Sequence, residues 1–426
     1  MELSSEDLHY IQQLGKNARK ASIELRSIGT DKKNNALLKL AEMLDNERAA
    51  IKLANSQDVE NAQQESLSPA LIDRLILSDK SIDSMIQSLN EIVSLKDPVG
   101  EIISGWTQPN GLNIKKVRVP IGVIAIIYES RPNVTIDVAA LGLKSSNAVI
   151  LRGGKEAIHS NKILTQLFQK SVRLENISTS SVQLVEHTQR NLLYGLLRLK
   201  NDIDLIVPRG GEGLINFVSQ NSLIPVIKHD KGVCHMYLHN SSDKEKAIPV
   251  VINSKVQRPG VCNALETLLL DKDLPYAEEV LLALVEHGVN LHGDTLTREF
   301  YENLNNKIII HNLTDEGYHK EYLSLDISIK VVDSLEGAIS HINEYSSLHS
   351  EAIISESYSA IEIFLNKLDS AALLVNTSTR FHDGGQFGLG AEVGISTGKL
   401  HCRGPMGLSD LTTAKYIVSG NGQIRV

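Results

Sequence analysis

Along the first hundred residues, apolar positions return every three or four places. Leu37, Leu40, Ala41, Leu44 and Ile51 fall on one helical face, and β-branched runs are scarce, so the spacing predicts a helical lead-in packed on a sheet. From "VPIGVIAIIYES" onward the pattern changes. Short apolar runs at Ile121 to Ile127, Ala148 to Leu151, Val182 to Val185, Ile203 to Val207 and Ile224 to Ile227 show no polar alternation, and helix-compatible segments such as "EAIHSNKILTQLFQKSV" separate several of them. Strands that are apolar on both faces and joined by helices predict a covered parallel sheet, a doubly wound domain of nucleotide-binding type. A second series, "VCHMYLH", "ALETLLLD", "KIIIHNL", "ISIKVVD", "EAIIS" and "AALLVNT", interleaved with patterns such as "PYAEEVLLALVEHG", predicts a second α/β unit from about residue 232. Ahead of the first series, "PVGEIISGWTQPNGLNIKKVRVP" carries hairpin turn chemistry at Pro109, Asn110 and Gly111, and the terminal "KYIVSGNGQIRV" reads as extended. Both are expected to leave the body of the subunit and pair with a neighbour's sheet.

Composition narrows the picture. A chain of 426 residues exceeds what one core usually organises, and 42% hydrophobic with 22% charged residues is the balance of a soluble globular protein. A formal charge of −8 disfavours a general polyanion binder. No stretch nears the roughly 20 unbroken apolar residues that cross a bilayer, and the polar opening "MELSSEDLHYIQQLGKNARK" lacks a secretion-signal core. A cytosolic protein is expected, with neither nucleic acid nor membrane as partner. Three cysteines, Cys234, Cys262 and Cys402, are too few for a disulfide framework.

Cys262 follows Pro259 and Gly260. Counting from Val261, apolar residues at Val261, Leu265, Leu268 and Leu269 fit one helical face, which places the thiol in a first helical turn. The free N–H groups there favour thiolate and arm a nucleophile. A buried cysteine acting as a small hydrophobe is the competing reading of position alone. Two strand ends run into the same tripeptide: Arg152, Gly153 and Gly154 with Lys155 after them, and Arg209, Gly210 and Gly211. Glycine lets backbone approach an anion, and a helix starting behind it aims N–H groups at phosphate; a tight turn is the plainer alternative. In "YESRPNVTID", Asn133 stands where a helix begins, either capping it or donating its amide to a developing oxyanion. A metal site is not expected. His229, Cys234, His235 and His239 lack ligand spacing, because strand alternation separates neighbours.

Taken together, "VQRPGVCNALETLL", "YESRPNVT", "LRGGKEA", "VPRGG" and the block from "RFHDGGQFGLG" to the C-terminus resemble the gamma-glutamyl phosphate reductases, within the aldehyde dehydrogenase superfamily. The resemblance runs through nearly the whole chain. It implies an aldehyde dehydrogenase-like α/β fold of two doubly wound domains with a β-hairpin and C-terminal oligomerisation element. The divisions are residues 1–99 and 117–231 for NADP binding, 232–398 for catalysis, and 100–116 with 399–426 for assembly. It implies Cys262 as nucleophile and Asn133 as oxyanion donor, and Lys155 beside the adenine ribose, near the 2′-phosphate of NADP. The two Arg-Gly-Gly turns, Arg152, Gly153 and Gly154 with Arg209, Gly210 and Gly211, are the expected cofactor contacts, and the resemblance implies Glu321 on the nicotinamide ribose. Asn376 and Arg380 face the substrate, and Arg131, Arg258 and Arg380 are candidates for its anionic groups. The implied reaction is NADPH-dependent reduction of L-glutamate 5-phosphate in proline biosynthesis. Implied partners are that substrate, a glutamate kinase, and further copies of the chain as dimer or tetramer. Where hydrolytic relatives carry a water-activating glutamate, this chain reads "VIKHDKGVCHMYL". A hydrolytic aldehyde dehydrogenase and a non-catalytic nucleotide-binding scaffold are the rival functions.

Overall fold

The computed structural model describes residues 3–227, 231–301 and 307–425. Contacts divide the chain into two compact units: Met1–His229 with Gly388–Gly394 and Met406–Val426, and Asp230–Phe387 with Ile395–Pro405. The expected assembly segment 399–426 is therefore not one block, since 395–405 cluster with the second unit and 406–426 with the first.

In the first unit, helices Ser5–Leu25, Thr30–Asn46, Arg48–Gln64, Pro69–Leu75 and Asp79–Ser94 form the lead-in. Leu37, Leu40, Leu44 and Ile51 are fully buried, as their spacing predicts. The four-stranded sheet is parallel, in the order Val182–Leu184, Ala148–Arg152, Val123–Tyr128, Leu205–Arg209. Every residue of Val123–Tyr128 is buried, which explains the missing polar alternation. The run at Ile224 to Ile227 does not become a strand; among the described residues it contributes one parallel bridge, Val226 to Ile206. Pro225 sits inside that run, and lacking an N–H it cannot donate to a ladder.

An antiparallel ribbon belongs to the same unit. Ile102–Thr107 pairs with Asn113–Pro120 across the Pro109–Gly111 turn, and Thr412–Ser419 pairs along the whole of Asn113–Pro120. The ribbon leaves Ile102, Ile103, Trp106, Tyr416, Ile417 and Val418 exposed.

The second unit is a seven-stranded parallel sheet in the order Ile310–Asn312, Asn290–Gly293, Asp326–Val332, Leu265–Asp271, Cys234–Leu238, Ser350–Ile354, Ala372–Val375. The apolar pattern reveals every strand here except Asn290–Gly293, whose four residues are mostly polar. Leu265–Asp271, expected both as a strand in "ALETLLLD" and as part of the helix behind Cys262, is the central strand, buried at all seven positions, which overturns the helix. Val261, Leu265, Leu268 and Leu269 match a helical face by coincidence, because a central strand is apolar on both faces and short runs do not separate the two periods. No helix among the described residues is long and apolar enough to cross a membrane.

Candidate active site

Cys262 stands in a turn between helix Lys244–Val256 and the central strand, closed by the Ala264 N–H donating to the Val261 carbonyl at 3.0 Å. No helix starts there, so no helix dipole favours its thiolate. It is the half-buried cysteine; Cys234 and Cys402 are buried. Its backbone is clamped from below. The Cys234 thiol donates to the Cys262 carbonyl at 3.1 Å, and burial pushes that thiol well above its ordinary pKa, which keeps it a protonated donor. Gly232 passes so close that a Cβ would fall 1.8 Å from the same carbonyl oxygen, so only glycine fits.

The next residue, Asn263, is buried and ties the turn to the loop after Val375. Its Nδ2 donates to the carbonyls of His382 at 3.0 Å and Arg380 at 3.4 Å, and its Oδ1 accepts from the Arg380 guanidinium. Arg380 Nε also donates to Gln257 Oε1 at 2.8 Å. Arg258 is exposed on the connection out of the helix. Glu321 Oε1 accepts from the Gly232 N–H at 2.9 Å, linking that carboxylate to the strand beneath the cysteine. Asn376, at φ +52°, spends both ends of its amide on the Ser355 backbone at 2.9 Å each.

In the first unit the remaining candidates stand at the carboxyl ends of the parallel strands. Asn133 is the first residue of helix Asn133–Lys144 and caps nothing. Its Nδ2 donates to Asp137 at 3.2 Å; burial raises the Asp137 pKa, while bonds from Ser88 and Asn133 and the charge of Arg209 oppose this. Arg131 is half-buried in the turn before that helix. The preceding residue, Ser130, holds φ +34° and gives both N–H and O–H to Glu156 Oε1 at 2.7 Å. Glu156 belongs to the turn that contains Gly153, Gly154 and Lys155, so that turn fixes the segment entering Asn133.

The two Arg-Gly-Gly turns differ in what fills them. Helix Ile158–Leu174, behind the first, is capped by buried Asp58, which accepts from His159 N at 3.0 Å, Ser160 N at 2.8 Å and Ser160 Oγ at 2.6 Å. Lys155 is exposed and paired with Glu65 at 2.7 Å, and Arg152 donates to the carbonyls of Gly153 at 2.7 Å and Thr188 at 3.1 Å. Before helix Glu212–Asn221, Gly211 N–H donates to the exposed Glu129 carboxylate at 2.8 Å. The group accepting the N–H at this helix start is itself an anion, so the turn accommodates negative charge.

Sequence reasoning missed Asp58, Glu129, Asp137, Asn263 and the donor role of Cys234. Asn263 alone carried a signal, as the neighbour of Cys262. Among the described residues no three His, Cys, Asp or Glu side chains gather as metal ligands; His229 lies outside the described residues.

No family model matches the chain. Curated relatives do. The gamma-glutamyl phosphate reductase of Leptospira interrogans is 52% identical over 98% of this chain and 99% of its own. That of Aquifex aeolicus is 47% identical over 98% and 97%. The crystal structure of gamma-glutamyl phosphate reductase from Thermotoga maritima superposes with a TM-score of 0.93 at 45% identity, covering 98% of this chain and all of that one. An acetylating aldehyde dehydrogenase from Geobacillus thermoglucosidasius, 16% identical over 99% of this chain and 98% of its own, shares the fold with a TM-score of 0.72. Identity at that level along almost the entire length, over an aldehyde dehydrogenase-like fold, makes the chain a member of the gamma-glutamyl phosphate reductase family.

Proposed function

We propose that the chain reduces L-glutamate 5-phosphate to L-glutamate 5-semialdehyde with release of phosphate, through a thioester on Cys262, as a cytosolic NADPH-dependent enzyme of proline biosynthesis. The observation that carries this reading is the 52% identity to a named reductase over 98% of the chain. The accessibility of Cys262 beside two buried cysteines supports it.

The Cys262 thiolate attacks the γ-acyl carbon, and the tetrahedral oxyanion is held by the Asn133 amide and the Cys262 backbone N–H. The carbon–oxygen bond to phosphate then breaks and leaves the thioester. NADPH, when bound, supplies the hydride that reduces the acyl carbon. The sulfur–carbon bond breaks next, returning Cys262 as thiolate and releasing the aldehyde. Arg131, Arg258 and Arg380 supply cations for the substrate's carboxylate and phosphate. Arg152 and the Arg209–Gly211 turn hold cofactor phosphates, Lys155 exchanges Glu65 for the 2′-phosphate, and Glu321 meets the nicotinamide ribose. Asn376 shapes the substrate-facing loop through its bonds to Ser355. Residues 1–99 with 117–231 bind the cofactor and 232–398 carry the chemistry. The ribbon assembles subunits, a role supported by its exposed Trp106 and Tyr416.

Without a water-activating glutamate, phosphate is the acyl partner. The test is reverse turnover of glutamate 5-semialdehyde with NADP and phosphate. We expect strict phosphate dependence and a loss of roughly a thousandfold or more in Cys262→Ala. Turnover without phosphate would establish the hydrolytic reading instead, and intact cellular proline synthesis in Cys262→Ala would establish a scaffold.

A further inference from the structure

The loss of the expected helix leaves the cysteine without its expected source of positive potential. Charged groups around it come from every neighbouring element, and most are already matched. Lys255 and Glu266, both fully buried, pair with each other at 3.0 Å, and Glu266 also accepts the Tyr322 N–H at 3.3 Å. Burial pushes the Glu266 carboxyl up and the Lys255 ammonium down, which brings the pair closer to a neutral unit. Glu351 accepts the His235 N–H at 3.0 Å and the Ser346 hydroxyl. Glu321 is engaged by Gly232, and Asp383 accepts the N–H groups of Gly385 at 3.0 Å and Gln386 at 3.2 Å. Burial lowers the His382 pKa to about 4, so that ring is neutral at pH 7. Cys234 is a protonated thiol by the argument above. Arg258 and Arg380 are cations on the two segments that adjoin the cysteine turn.

Arg380 is the fixed one. Its guanidinium is half-buried and anchored to Asn263, the residue next to the nucleophile, and to Gln257. Burial and the like charge of Arg258 lower the Arg380 pKa, while Asp383 and the two cysteines, Cys262 and Cys234, oppose this. Exposed Arg258 is near enough to act on Arg380 as a like charge but has more solvent to screen it.

We propose that Arg380, held in place by Asn263, is the cation that keeps Cys262 ionised, a role separate from any contact it makes with substrate. Asn263 is then a positioning residue, acting through Arg380 and through the turn it pins to residues 380–382. The inference rests on Cys262 being the nucleophile, as the proposed function has it.

The test is the pH profile of Cys262 alkylation by neutral iodoacetamide in the cofactor-free full chain, with the modified site read by mass spectrometry. An uncharged reagent reports the thiolate fraction without being drawn to the arginine. Wild type is expected to titrate below the ordinary thiol value of about 8.5. Arg380→Gln should raise the apparent pKa by about one unit and slow alkylation at pH 7 about tenfold, since each unit is a factor of ten in thiolate. Arg380→Lys, which keeps the charge but loses the fork, should recover most of that shift. Asn263→Ala, which frees the guanidinium, should fall between wild type and Arg380→Gln. A profile for Arg380→Gln that overlays wild type, with its melting temperature preserved, overturns the inference. So does an Arg380→Lys profile as displaced as that of Gln. Failure of the underlying reading looks different: Cys262→Ala would then keep its reductase turnover, whatever the alkylation profiles show.

Discussion

The same three residues, Arg-Gly-Gly, close two strands of one sheet and become two different places. After Ala148–Arg152 the following helix is capped by Asp58, 1% exposed, through three hydrogen bonds, of which the two from Ser160 are buried. After Leu205–Arg209 the helix start is touched by Glu129, an exposed side chain with one bond to Gly211. A buried carboxylate with three donors is a permanent part of the fold, because removing it strands all three. An exposed carboxylate with one donor can be exchanged for another anion at little cost. Local sequence supplies the glycines and the dipole, and the tertiary partner decides whether a ligand can use them.

The largest effect that would test this contrast is Asp58→Ala. It should destabilise the first unit by about 3 kcal/mol, read by denaturant unfolding, because three donors lose a buried acceptor. An unchanged midpoint would mean that the first turn is as replaceable as the second. Next comes the same substitution in both turns. A Cβ at Gly153 would fall 2.2 Å from Asn161 Nδ2 and 3.2 Å from Tyr128 Cζ, both on buried side chains, so Gly153→Ala should cost about 2 kcal/mol. At Gly210 the Cβ would meet Glu129 Oε2 at 2.4 Å and Leu214 Cδ2 at 2.8 Å, the far ends of flexible chains. Gly210→Ala should therefore cost under about 1 kcal/mol in stability while weakening NADPH binding several-fold in a fluorescence titration. Equal stability losses at the two positions would erase the distinction.

Lys155→Ala sharpens the first turn's role. It should weaken NADPH about tenfold and leave NADH nearly unchanged, as expected for one exposed cation lost from a phosphate. The smallest effect is at Glu129. Glu129→Ala should tighten NADPH about threefold, since a competing carboxylate is removed from Gly211. Weaker binding would show that Glu129 assists the ligand rather than standing in for it.

Much of this architecture was legible in the chain. Unbroken apolar runs marked the buried parallel strands, and Pro109–Gly111 marked the hairpin, because both signals are local. The environment of Cys262 was not. Leu265 to Leu269 satisfy two periods at once, and only the neighbouring strands Cys234–Leu238 and Asp326–Val332 select the extended one. Asp58 caps a helix 101 residues further on, and Arg380 reaches Asn263 across 117. No window of sequence contains such pairs. Asn133 was visible as a residue type, but its bond to Asp137, one turn along, belonged to neither the cap nor the oxyanion reading.

The chain has a single tryptophan, and it stands on the antiparallel ribbon, edge-on to Tyr416 with ring centroids 6.3 Å apart. Intrinsic emission excited at the red edge is consequently an optical channel that reports the surroundings of that ribbon. If a second copy covers the ribbon, diluting the protein should move the emission to longer wavelength as the indole meets water.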